Sequence, residues 1–150
     1  MAGVLALLVV CGAACGSVDV RATNVSGSER TACAALVKAL PDHVSDQPRR
    51  TTSGNPLGAA WGDPPIVLRC GVGKPADYDP VVGCQTVNGM DWFVPERGMN
   101  DQQADVLMTT YGRVPAVEVA LPAKYRPPVA AMVDLAGVIA KHTSVVKRCS

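Results

Sequence analysis

Apolar residues along this chain fall into one unbroken block followed by several periodic ones. Residues 1–18 carry no charged side chain, and Asp19 and Arg21 are the first charges. A half-buried helix or strand repeats or alternates its apolar positions, and this block does neither. It reads as the apolar part of a signal peptide or of a membrane anchor. No Lys or Arg precedes it, and it is near the lower limit for a span, which takes about 20 apolar residues. Cys15 follows Gly12-Ala13-Ala14, small residues of the kind that precede a lipidated cysteine, so Cys15 is a candidate for lipoprotein processing. Residues 19–28 are polar and predict a linker. Residues 29–150 remain as a single domain.

Periodicity takes over from there. Ser26-Gly27-Ser28-Glu29 has the spacing of a capping box. Cys33, Leu36, Val37 and Leu40 follow at i, i+3, i+4 and i+7, one apolar helical stripe that Pro41 ends. Residues 42–58 are polar and irregular. Trp61-Gly62-Asp63-Pro64-Pro65 predicts a turn, and Ile66–Cys70 a strand with Ile66, Leu68 and Cys70 on one face. Residues 71–80 predict a loop. Asn88-Gly89 accepts the positive φ angles of a two-residue hairpin turn. It joins Cys84–Val87 to Met90–Val94, with Val87, Met90, Trp92 and Val94 on one face and Cys84, Thr86, Asp91 and Phe93 on the other. Val106–Tyr111 and Ala116–Leu121 predict a second hairpin through Gly112. Pro127-Pro128 opens a final helix, with Val129, Met132, Val133, Ala136, Ile139 and Ala140 as its buried face. The order predicts an α+β fold: an antiparallel sheet of about four to six strands, with an N-terminal and a C-terminal helix packed on one face.

Composition narrows the compartment. Of six cysteines, Cys11 and Cys15 lie in the apolar block, which leaves Cys33, Cys70, Cys84 and Cys149 for the domain. Export makes disulfides chemically reasonable. Four cysteines allow three connectivities. Cys33 on the helical stripe and Cys70 on the apolar strand face meet if helix packs on sheet, so Cys33–Cys70 is the first choice and Cys84–Cys149 the remaining pair. Four buried free thiols are the alternative. The net charge of +1 gives no electrostatic basis for nucleic-acid binding.

Candidate chemistry is sparse. Gly71-Val72-Gly73-Lys74 resembles part of a phosphate-binding loop, but Pro75 stands where the helix that holds phosphate would begin. His43 and His142 are the only histidines, and no close cysteine spacing accompanies them, so neither a metal nor any other cofactor is expected. Asp63, Asp77, Asp79 and Asp91 adjoin turns, where aspartate serves turn chemistry. Paired across loops, Asp63 and Asp91 could instead form an acid site. Trp61, Asp63 and Trp92 are the candidate binding residues: Trp61 as a loop anchor beside Asp63, Trp92 on the apolar hairpin face.

Residues 59–71, Ala-Ala-Trp-Gly-Asp-Pro-Pro-Ile-Val-Leu-Arg-Cys-Gly, resemble the hallmark of an uncharacterised actinobacterial family called domain of unknown function 3515. Residues 87–93, Val-Asn-Gly-Met-Asp-Trp-Phe, resemble its second block. The Cys33 helix with Leu40-Pro41, the Val117-Glu118-Val119 strand and the Pro-led last helix match in order, over about residues 29–141. The resemblance implies a signal or membrane segment ahead of one extracytoplasmic domain, secreted or anchored to the cytoplasmic membrane. It implies no catalytic residue.

The expectation is therefore a non-enzymatic envelope domain that binds or assists, touching the membrane through its N-terminal segment and meeting an envelope protein or ligand. An envelope enzyme using the loop carboxylates Asp63 and Asp91 is the alternative. A structural subunit would instead present a large exposed apolar patch.

Overall fold

The computed structural model describes residues 16–79 and 83–149. The apolar block, with Cys11 and Cys15, lies almost wholly outside the described residues. The chain begins with strand β1 (Val18–Val20) and helix α1 (Gly27–Ala39). Five strands follow: β2 (His43–Val44), β3 (Gln47–Arg50), β4 (Thr52–Gly54), β5 (Gly58–Trp61) and β6 (Ile66–Cys70). Next come β7 (Cys84–Val87), β8 (Met90–Phe93) and the single-turn helix α2 (Glu96–Asn100). The chain continues with β9 (Val106–Thr110), β10 (Arg113–Val114), β11 (Val117–Leu121), α3 (Val129–His142) and β12 (Ser144–Val145).

Eight strands form one antiparallel sheet in the order β2-β3-β5-β6-β11-β9-β8-β7. Residues directly opposite in an antiparallel pair share a face. Leu68 stands opposite Ala59 and Val119, and Val119 opposite Met108. These four, with Trp61, Ile66, Cys70, Val117 and Leu121, are all buried. Gly58, Arg69, Glu118, Thr109, Phe93 and Cys84 form the adjacent row, in register across β5, β6, β11, β9, β8 and β7. By the period of two, that row points to the opposite face.

Cys33 and Cys70 are joined with Cα atoms 5.5 Å apart, which ties α1 to the apolar face of β6. The helices α1 and α3 contact each other, and α3 also contacts β2, β7 and β8. Trp61, fully buried, donates from its indole Nε1 to the Pro41 carbonyl at 3.0 Å. The Arg49 guanidinium lies 5.3 Å above its ring and donates to the carbonyls of Val37 and Leu40. Arg49 thus satisfies the carbonyls of Val37 in the last turn of α1 and of its C-cap Leu40, and Trp61 that of Pro41 just beyond the helix.

Several expectations change. The sheet has eight strands, not four to six, because residues 42–58 add β2 and β3 to it, while β4 pairs with β1 beside it. Those strands are two to four residues long and polar, so no alternation announces them; their neighbours in the sheet hold them. Residues 19–28, expected as a linker, begin inside β1, which pairs in parallel with β4. Val20 is buried against Gly58, where a Cβ would sit 2.8 Å from the Leu68 carbonyl oxygen. Thr23 donates to the Cys70 carbonyl, and Asn55 to that of Arg21. Ser26 is the N-cap of α1, yet its hydroxyl makes no capping bond. In α3 the buried residues are Ala131, Met132, Leu135, Ala136 and Ile139, while Val129 and Val133 are 45% and 46% exposed and Ala140 is exposed. Met132, Ala136 and Ile139 belong to both stripes; Leu135, the bulkier side chain, turns the helix its way.

The Cys33–Cys70 link spans a separation of 37 residues. Chain-entropy arguments give a crosslink of this loop size about 4 kcal/mol. The double variant Cys33→Ala/Cys70→Ala is expected to lose roughly 2–4 kcal/mol of unfolding free energy in a urea melt, with the midpoint shifted and the slope steeper.

Candidate functional site

The row Arg69, Glu118, Thr109, Phe93 is roofed rather than solvated, because the chain leaving β6 doubles back over it. Gly71 makes that reversal at φ +80°, with Val25 packed where its Cβ would stand. Its N–H donates to the Ala116 carbonyl at 2.8 Å. Past the turn, Tyr78 comes down on the sheet with its ring 5.2 Å from that of Phe93 and 5.8 Å from that of Tyr111, nearly parallel to the latter. The Lys74 ammonium sits over the same Tyr78 ring, 4.2 Å from its centroid.

The C-terminal strand forms the facing wall. After α3, Thr143 returns a hydrogen bond to the Ile139 carbonyl, and Arg113 grips Thr143 at both its carbonyl and its hydroxyl, 3.0 and 2.9 Å. β12 pairs antiparallel with β10. The N–H groups of Val146 and Lys147 both donate to the Gly112 carbonyl, at 2.8 and 3.1 Å. Gly112 has φ +57°, and a Cβ there would meet the carbonyl carbon of Lys147 at 2.7 Å. Only glycine allows that approach. Farther on, Cys149 donates its N–H to Asp91 Oδ2 at 3.2 Å and is bonded to Cys84 on the edge strand, Cα atoms 6.0 Å apart.

Between these walls lies a cleft of about 560 Å³, lined among others by Lys74, Tyr78, Phe93, Thr109, Arg113 and Lys147. Its apolar lining is Val72, Pro75, Val114 and Ala116. A volume of this order accommodates a small organic ligand. A second hollow of about 400 Å³ lies on the other side of residues 71–75, against the Arg69–Glu118 ion pair.

The charges of the cleft are unbalanced. Lys74, Arg113 and Lys147 line it against one carboxylate, Glu29. The two ion pairs among the described residues, Arg69–Glu118 and Arg148–Asp91, include none of the three cations. Burial, and then the charge of Arg148, pull Arg113 below the ordinary guanidinium value, while Asp91 pulls it back. The phenols are split. Burial, and then its hydrogen bond to Tyr111, push Tyr78 up to about 12. The bond from Tyr78 draws Tyr111 below its ordinary value; the Lys147 ammonium, hydrogen-bonded to the same oxygen, adds to that, and burial and Asp91 oppose it. The Thr109 hydroxyl, on a residue 4% exposed, lines the cleft and has no hydrogen-bond partner among the described residues.

The candidates from sequence stand elsewhere. Trp61 closes β5 in the core instead of standing on a loop. Asp63 is exposed on the turn after it, where its N–H meets the Tyr125 hydroxyl oxygen and its carbonyl accepts from Lys124. Trp92 is fully buried, with Nε1 unpartnered. Asp91 is 5% exposed, and its carboxylate accepts from Thr86 at 2.6 Å and from the tail. Asp63 and Asp91 are not brought together: three strand spacings separate β6 from β8, about 14 Å of sheet. The two cysteine pairs fall as expected, Cys33 with Cys70 and Cys84 with Cys149. No group of three or more potential metal ligands occurs among the described residues. Sequence reasoning missed Tyr78, Thr109, Tyr111, Arg113 and Lys147. Only Lys74 carried a signal, in the glycine-rich run after β6, and residues 72–75 form no helix.

Fold and cleft together define an α+β domain, stapled by two disulfides, that holds an open cationic cleft on the polar face of its sheet. The chain belongs to the family described as protein of unknown function DUF3515, whose model matches residues 1–147. No curated protein and no solved structure matches it.

Two outcomes check this geometry. In a ¹³C NMR titration of the tyrosine Cζ atoms, Tyr111 is expected to titrate below the ordinary value of 10.0 and Tyr78 at about 12. By linkage, the contribution of Tyr78 to stability is full below the unfolded value and lost as pH rises through about 12. That of Tyr111 is present above the unfolded value and lost as pH falls through its lowered one. Gly112→Ala is expected to undock the tail. Amide exchange at Val146 and Lys147 should speed at least about tenfold, the equivalent of 1.4 kcal/mol, while the core amides of β11 hold their protection.

Proposed function

We propose that this protein is a non-enzymatic, extracytoplasmic domain, secreted or held at the membrane, that binds a component of the cell envelope in the cleft between residues 71–79 and the C-terminal strand. The observation that carries the reading is the cleft itself: about 560 Å³ of open space with one wall cross-linked to the sheet edge through Cys84–Cys149. Walls fixed before a ligand arrives lose little freedom when it binds, and affinity gains by that amount. Two disulfides in one domain suit an oxidising compartment outside the cytoplasm. Among the described residues no helix is long and apolar enough to cross a membrane. Attachment therefore falls to the apolar block at residues 1–18, by anchoring or by lipidation at Cys15.

The test is cross-linking in intact producing cells. A photoreactive residue is placed at Val114, which lines the cleft, and in a second strain at Val133, exposed on α3. The Val114 chain is expected to capture an envelope component that the Val133 chain does not, and thiol trapping before lysis should label none of Cys33, Cys70, Cys84 and Cys149. Identical products from both positions, or none, would remove the cleft as the binding site. Four labelled thiols would remove the compartment.

A further inference from the structure

The cleft has an unpaired set of groups that says what kind of ligand completes it. A buried guanidinium without a carboxylate partner is costly, because desolvation is not offset by an ion pair. Arg113 comes close to that position: it is 9% exposed, with Nη1 spent on Thr143, it has no ion-pair contact among the described residues and feels Asp91 only at longer range, and it lines the cleft. Lys147 is steered to the same space by Tyr111, whose ring centroid lies 5.8 Å from its ammonium. Lys74 enters from the opposite wall, over Tyr78. Beneath them the Thr109 hydroxyl points from the sheet floor with its hydrogen-bonding capacity unused. That oxygen is reached by solvent through the cleft and is free to meet a ligand.

We infer that the cleft takes a phosphate monoester, its phosphoryl oxygens held by Lys74, Arg113, Lys147 and the Thr109 hydroxyl, and its organic part laid against Tyr78 and Phe93. This deepens the binding function proposed above and rests on it. Charge selects phosphate over carboxylate. Three cations face one carboxylate, Glu29, and a phosphate monoester carries close to two negative charges at neutral pH, against one for a carboxylate. It also has three acceptor oxygens for donors that converge from three directions. The wall of Val72, Pro75 and Val114 suits an apolar body behind the phosphate. Whether the phosphate belongs to a small soluble compound or to a lipid headgroup, the chemistry at the cleft is the same.

Purified full-length chain, with both disulfides verified by mass, is titrated with phenyl phosphate, benzoate and benzyl alcohol while the tyrosine Cζ resonances are followed. Phenyl phosphate is expected to shift Tyr78 and to bind at least tenfold more tightly than benzoate or benzyl alcohol. The variant Lys74→Ala/Lys147→Ala, with both substitutions on surface segments, should lose at least tenfold for phenyl phosphate and little for benzyl alcohol. Vesicles of phosphatidylcholine with and without phosphatidic acid separate the sources. A gain in co-sedimentation on adding phosphatidic acid, lost in the double variant, assigns the lipid; phenyl phosphate binding without that gain assigns a soluble phosphate. Benzoate or benzyl alcohol binding as tightly as phenyl phosphate overturns the phosphate assignment and leaves the cleft as a binding site. No binding of any probe overturns it as well, and the cross-linking result at Val114 then decides the wider reading independently.

Discussion

The register between β6 and β11 is the constraint from which both faces of the molecule follow. Val119 opposite Leu68 continues the apolar surface, and Glu118 opposite Arg69 continues the polar one. A slip of β6 by one residue would exchange its two sets, driving Arg69 into the core and Ile66 and Leu68 under the loop. The Arg69–Glu118 contact, with Nε 2.9 Å from Oε1, opposes that slip from one side of the sheet. The Cys33–Cys70 bond opposes it from the other, since a shifted β6 would carry Cys70 away from α1. Everything placed on the polar face, from Thr109 to Phe93, inherits its position from this pairing.

The central part of this plan was legible in the residues. Alternation marks Ile66–Cys70 and Val117–Leu121, Asn88-Gly89 marks its hairpin, and Cys33 sits on a helical stripe; each signal is local and strong. Cys33–Cys70 followed from assigning faces to those elements, and Cys84–Cys149 followed as the remaining pair. The rest was not legible because its causes are not local. β2, β3 and β4 are short and polar, and exist because they complete hydrogen bonds offered by neighbours, β3 by β5, β2 by β3 and β4 by β1. Val129 and Val133 have the spacing of a buried face, but Leu135 one step around the helix fills the core better.

The cleft was the least legible part. Its residues come from five separate places: α1, the 71–79 segment, β8, the β9–β10 region and the tail after β12. No spacing rule connects Lys74, Thr109, Arg113 and Lys147, and none of the four is unusual in its own neighbourhood. Of the aspartates that looked chemical, Asp91 is occupied by structure, its carboxylate holding Thr86 and the Cys149 N–H together, and Asp63 engages through its backbone. The polar groups that line the cleft for a ligand are mostly cations and hydroxyls.

The arrangement of the two crosslinks bears on how the chain reaches its final form. Cys33 joins Cys70 before Cys84 is reached along the polypeptide, and Cys84 then waits for Cys149, 65 residues later. The loops are sequential and never nested or crossed. A chain that emerges from its N-terminus and oxidises each cysteine with the next to appear arrives at the native connectivity without reshuffling. The cleft, whose far wall hangs on the second bond, is then the last feature to be completed, so molecules caught before that closure would carry a finished core and an unfinished site.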